Sequence, residues 1–119
     1  MNTTVTFEIA KLLKEKGFDN ESCDYYNIDG ELRYDSEFPS LQCTKYFDYY
    51  DAPTIAEVVM WIYEKHGIWI SVVMLYPKRY EYDIQKTDST TQLAKSHPQL
   101  DTPTEACNEA ILYTLNNLI

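Results

Sequence analysis

The chain has 119 residues, a formal net charge of −9 and a pI near 4.5. A chain this acidic, with no Lys/Arg cluster, lacks the cations that neutralise phosphates, which argues against direct nucleic-acid binding and against anionic membrane surfaces. Aromatic residues make up 14% of it, eleven of them Tyr, so it has the apolar content to fold rather than stay disordered.

Taken in chain order, the first expected element is a helix from Phe7 to Lys16. Thr6 is suited to cap its start, and Gly17 to end it in a left-handed conformation. Ile9, Leu12, Leu13 and Lys16 share one side, and Phe18 can fold back onto it. Asp29-Gly30, between Tyr25-Tyr26-Asn27-Ile28 and Glu31-Leu32-Arg33-Tyr34, predicts a hairpin with a two-residue turn. Residues 35–41, with Pro39, read as loop, and Cys43 to Tyr50 as a further strand.

The strongest signal is the block from Thr54 to Tyr76. Thr54 and Glu57 have capping-box spacing, in which hydroxyl and carboxylate each satisfy a free backbone N–H. Ile55, Val58, Val59 and Ile62 recur at helical spacing, with Ala56, Met60, Trp61 and Tyr63 outside that stripe. Such a helix is expected to be covered on more than one side. After Gly67, Ile68 to Tyr76 is apolar except for Ser71, which predicts a strand inside its sheet with both faces covered. Pro77-Lys78-Arg79 reads as a turn. Tyr80, Tyr82 and Ile84 then alternate with polar residues, as in a half-exposed strand. Lys86 to Asp101 is polar and reads as a mobile loop. Thr102-Pro103-Thr104-Glu105 starts a last helix that turns Ala106, Cys107, Ala110, Ile111, Thr114, Leu115 and Leu118 to the core.

The expected order is α-β-β-β-α-β-β-α. Tight turns between paired strands favour an α+β fold with a mainly antiparallel sheet, and the length suits a single domain, 1–119. Three widely spaced Cys suggest no disulfide framework. There is no basic and apolar leader at the start, and the longest apolar run is about half a membrane span. The expected setting is therefore the cytoplasm.

Three stretches carry a resemblance. They are Phe7-Glu8-Ile9-Ala10-Lys11-Leu12-Leu13-Lys14-Glu15-Lys16-Gly17-Phe18, then Ala52-Pro53-Thr54-Ile55-Ala56-Glu57-Val58-Val59-Met60-Trp61 on to Ile70, then Pro103-Thr104-Glu105-Ala106 through Tyr113-Thr114-Leu115-Asn116-Asn117-Leu118-Ile119. Together, a little under half the chain, they resemble small uncharacterised proteins encoded by phages, prophages and mobile elements of gut Bacteroidetes. More remotely, the helix–strand–strand–helix end is similar to a small phage domain described as an ABA sandwich. The resemblance implies a phage or mobile-element origin and brings no activity, cofactor or catalytic residue with it.

The residues alone give weak grounds for catalysis. Cys23, Cys43, His66, His97 and Cys107 include no closely spaced pair of the kind that holds zinc, and buried thiols with solvent-facing imidazoles account for them. Asn27-Ile28-Asp29-Gly30 lacks the flanking ligands of a calcium loop. With three Gly in the chain there is no phosphate-cradling loop, and Cys107 has no nucleophile signature around it. No metal or cofactor is expected.

The segment from Asp19 to Asp51 is different. It holds nine acidic residues against two basic ones, and six of the eleven Tyr. Asp24, Tyr25, Tyr26, Tyr46, Asp48 and Tyr49 are the candidate binding residues, because Tyr supplies apolar contact area while its hydroxyl stays hydrogen-bonded, and carboxylates steer a basic protein partner. The plainer account is a solvated hairpin kept soluble by its acids. The expected function is a non-enzymatic accessory module that binds a host or phage protein. The alternative is a small enzyme or ligand-binding domain with a pocket near His66, Trp69 and His97. A homo-oligomer is compatible with both, since the two-sided apolar strand needs cover.

Overall fold

The computed structural model describes residues 4–18, 24–33, 49–89, 91–95 and 100–119. In chain order the elements are α1 (Phe7–Glu15), β1 (Tyr25–Asn27), β2 (Leu32–Arg33), β3 (Tyr49–Asp51), α2 (Ile55–His66), β4 (Ile68–Tyr76), β5 (Arg79–Lys86), β6 (Gln92–Lys95) and α3 (Pro103–Asn117). The fold is α+β, every strand pair is antiparallel, and the order is the expected one with β6 added. Contacts gather into two compact units, Met1–Thr54 and Ile55–Ile119.

In the first unit, α1 begins and ends as its local chemistry dictates. The Ile9 N–H donates to Thr6 Oγ1 at 3.4 Å. At the other end Gly17 takes φ +82°, Phe18 N–H donates to the Leu13 carbonyl at 2.9 Å, and Gly17 N–H to the Lys14 carbonyl at 3.3 Å. That pair of bonds is the Schellman closure, which needs a residue without a Cβ penalty at the left-handed position. The sheet runs β2-β1-β3, with Tyr25 opposite Arg33 and Asp51, and Tyr26 opposite Leu32 and Tyr50. Its core joins Val5, Ile9, Ala10 and Leu13 to Tyr25, Tyr26 and Ala52.

The hairpin turn differs from expectation. The Asn27 side chain accepts from the N–H groups of Asp29 and Glu31 at 3.0 and 2.9 Å, and Asn27 N–H donates to the Glu31 carbonyl at 3.0 Å. Capture of two amides by one Asn widens the connection to three residues, Ile28 to Gly30, with Gly30 at φ +85°. A Cβ on Gly30 would lie 3.0 Å from the Phe7 ring, which would have to give by a few tenths of an ångström, and the positive φ disfavours an L side chain there in any case. Of the strand expected from Cys43 to Tyr50, only Tyr49 and Tyr50 fall within the described residues.

The second unit is a three-stranded sheet, β4-β5-β6, under two helices. Even-numbered positions face the helices: Ile68, Ile70, Tyr82 and Ile84 are buried, against Val58, Trp61 and Ile62 of α2 and Ala106, Ala110, Ile111 and Leu115 of α3. Thr102 caps α3, its hydroxyl accepting from Glu105 N–H at 3.1 Å, while the Glu105 carboxylate takes the Asp101 N–H at 3.4 Å. The buried Thr114 hydroxyl donates to the Ala110 carbonyl at 2.8 Å and so has no unmet polar demand. β6 lies within the stretch read as a loop. It pairs Asp83 with Lys95 and Ile84 with Ala94, and Gln92 Nε2 donates to Asp83 at 2.9 Å.

The β4–β5 turn places Lys78 at φ +60°, after Pro77. This is the position where a type II turn prefers glycine, because an L side chain there costs about 1–2 kcal/mol. Glycine gives back part of that through its freer unfolded chain. Lys78→Gly is expected to stabilise the protein by about 0.5–1 kcal/mol, seen as a thermal midpoint a few degrees higher. An unchanged or lower midpoint would mean that the turn is not strained.

Candidate functional site

The structure takes two of the expected binding rings off the surface. Tyr25 and Tyr26 are each 8% exposed, although adjacent strand residues point to opposite faces. The expectation that they form an exposed contact is therefore corrected. β1 is the central strand of its sheet, and the Tyr26 hydroxyl donates to the buried Val5 carbonyl at 2.6 Å while its ring sits 5.4 Å from Phe7. Asp24 is half-buried, and its carbonyl accepts the Ala52 N–H at 3.0 Å. Tyr49 lies in β3, opposite Asn27. Tyr46, Asp48, Cys23, Cys43 and His97 lie outside the described residues.

Of the two described residues of the pocket expected near His66, Trp69 and His97, one is in place. His66, Gly67, Ile68, Lys86, Thr87 and Leu118 line an open depression of about 490 Å³, but Trp69 is not among its described walls. Trp69 instead meets the edge of the Tyr63 ring at 5.7 Å, while His66 meets the buried Trp61 at 4.9 Å. Among the described residues no three His, Cys, Asp or Glu side chains gather as they would around a metal ion. Burial pushes the Cys107 thiol up from its ordinary range, which keeps it protonated and weakly nucleophilic near neutral pH. The Tyr82 phenol is likewise pushed up, chiefly by burial and further by Glu109 and Tyr113.

A surface that sequence reasoning missed lies along β4. The strand was expected inside its sheet with both faces covered. Instead, among the described residues it pairs only with β5 and forms the edge of the sheet. Helices α2 and α3 cover its even face, and on the opposite face Trp69 and Val73 stand 41% and 44% exposed. Toward its end Met74 and Tyr76 are more exposed still. The expectation that α2 is covered on more than one side also gives way, because its Met60 and Tyr63, one turn apart, are exposed. The Tyr63–Trp69 contact joins that helix stripe to the strand.

The local sequence explains how the strand comes to lie there. Gly67, at φ +65°, ends α2 and reverses the chain into β4 within one residue. Its carbonyl accepts both the N–H and the hydroxyl of Thr87, at 2.9 and 3.1 Å, which ties the strand start to the far end of β5. The next row inward on the helix-free face is polar but satisfied. Val73 sits opposite Glu81 and Ser71 opposite Asp83. The buried Glu81 is paired with Lys95 Nζ at 3.4 Å, and Asp83 accepts from Gln92 and Gln85. With the acids already partnered within the chain, this face offers apolar side chains and an uncharged strand edge to its surroundings.

Comparison with known proteins finds no matching family model, no matching curated protein and no matching solved structure. No described helix is long and apolar enough to cross a membrane.

Proposed function

We propose that this chain is a small non-enzymatic protein-binding module, an accessory protein of a phage or mobile element, and that it binds through the β4 edge. One observation carries the reading: a nine-residue edge strand without a single charge, bearing exposed Trp69, Val73, Met74 and Tyr76. Soluble proteins normally blunt such edges with Lys, Pro or a covering element, because the free N–H and C=O groups template strand addition. An edge that no described element covers, flanked by aromatic and Met side chains, has the chemistry of β-augmentation, where main-chain bonds give affinity and side chains give choice of partner.

The test is capture of proteins from bacterial lysate that also contains an untagged copy of the chain. The bait is wild type, Val73→Lys, or Asp24→Asn combined with Asp48→Asn. Loss of capture only with Val73→Lys is the expected result. Loss only with the double variant would move the contact to the acidic segment and to a basic partner. No capture by any bait at low or high salt would remove the binding-module reading.

A further inference from the structure

We infer that the occupant of the β4 edge is a second copy of the same strand, giving a two-fold dimer with a continuous sheet, β6-β5-β4 joined to β4-β5-β6. This rests on the reading of β4 as the contact surface and names its partner.

A strand added beside β4 must present side chains to both faces of the sheet. On one face they would meet Trp69 and Val73, and on the other the rim of the helix layer at Met60 and Tyr63. Only a strand that is apolar on both faces avoids placing a charge against one of these surfaces. Among the described strands β4 alone fits, since β1 is already paired on both sides and β2, β3, β5 and β6 each carry a charge, Arg33, Asp51, Glu81 and Lys95 among them.

An antiparallel two-fold centred on Val72 sets Ser71 opposite Val73 of the second copy, and Ile70 opposite Met74. Each side of such an interface contributes the same patch, and no charge meets a charge along it. The register irregularity between Met74 and Tyr76 bounds the pairing at one end. The exposed parts of Met60, Tyr63, Trp69, Val73, Met74 and Tyr76 offer on the order of 600 Å² per copy, close to the roughly 800 Å² per partner of a standard interface before the strand backbone is counted.

The overall charge supplies a signature. Two chains of −9 each repel, so their association is expected to tighten as salt screens them, whereas binding of a basic partner weakens.

The experiment is sedimentation velocity on the purified full chain alone, from about 1 to about 300 µM, at low and high salt. The wild type is expected to dimerise, more tightly at high salt. Val73→Lys, an exposed position whose circular dichroism should match wild type, is expected to weaken the dimer about 100-fold. Ser71→Glu should also weaken it, and mixing the two variants should restore a dimer, because the Val72-centred register sets the new Lys opposite the new Glu. Wild type that stays monomeric throughout, or a dimer indifferent to Val73→Lys, would overturn the proposal. So would a mixture that does not recover. A monomer whose lysate capture is still lost in Val73→Lys would leave the β4 reading standing with a different partner. A monomer without β4-dependent capture would end both.

Discussion

Ile84→Ala is expected to destabilise the unit formed by residues 55–119 by about 3–4 kcal/mol. Ile84 is fully buried on the central strand of its sheet, opposite Ile70 on one side and Ala94 on the other, with both helices packed over that face. Removing its three outer carbons takes away their transfer free energy and leaves a cavity. Neighbours at 0% exposure on two helices (Ile62 of α2, Ile111 and Leu115 of α3 among them) are held by their own helices and cannot all collapse into it. Against a total stability of about 5–15 kcal/mol for a small domain, that loss is large enough to move a urea midpoint plainly. Val73→Ala is the internal control. Its side chain lies on the helix-free face, nearly half exposed, and the change should cost under about 0.5–1 kcal/mol. Similar losses for the two variants would mean that the sheet does not have one covered and one uncovered face. The contact surface argued for β4 would then lose its basis.

That asymmetry is where the sequence stops being readable. The helix limits were legible because they depend on neighbours in the chain: Thr6 and Gly17 around α1, and Thr102 with Pro103 and Glu105 at the head of α3. Gly67 between helix and strand was legible for the same reason. Strand order depends on which segments meet after folding. Nothing local in Ile68 to Tyr76 distinguishes a strand interior to its sheet from one at its edge, and apolar residues on both faces read most simply as interior. β6 had even less signal. Gln92-Leu93-Ala94-Lys95 is too short to show alternation, and what holds it is a ladder to β5 and the Gln92–Asp83 bond. Tyr25 and Tyr26 failed in the opposite sense. Period-two alternation places one ring outward, but β1 sits between two other strands and both rings are buried. The Asx turn at Asn27 was written in the sequence and outweighed by the Asp-Gly pair beside it. Two backbone amides bonded to one side chain decide the loop length there.

Tyr26→Phe separates the two roles that tyrosine can play in this chain, structural and recognitive. The substitution keeps the ring against Phe7 and removes only the hydroxyl that donates to the Val5 carbonyl at 2.6 Å. Val5 is fully buried, so its carbonyl has no water to turn to when the donor leaves. An acceptor stranded in this way costs about 1–3 kcal/mol, more than the net worth of an ordinary hydrogen bond, because the desolvation is no longer offset. The loss is expected in the unit formed by residues 1–54. Hydrogen exchange should show faster amides in Ile9 to Leu13 and in Tyr25 to Asn27, with residues 55–119 unchanged. Capture of partners should be unaffected at temperatures where the variant remains folded. Had Tyr26 been a recognition ring at the surface, the same change would leave stability within about 0.5 kcal/mol and weaken capture. Stability lost with binding kept assigns this tyrosine to the core of its unit and leaves recognition to the uncharged edge of β4; binding lost with stability kept would return recognition to the acidic, tyrosine-rich segment.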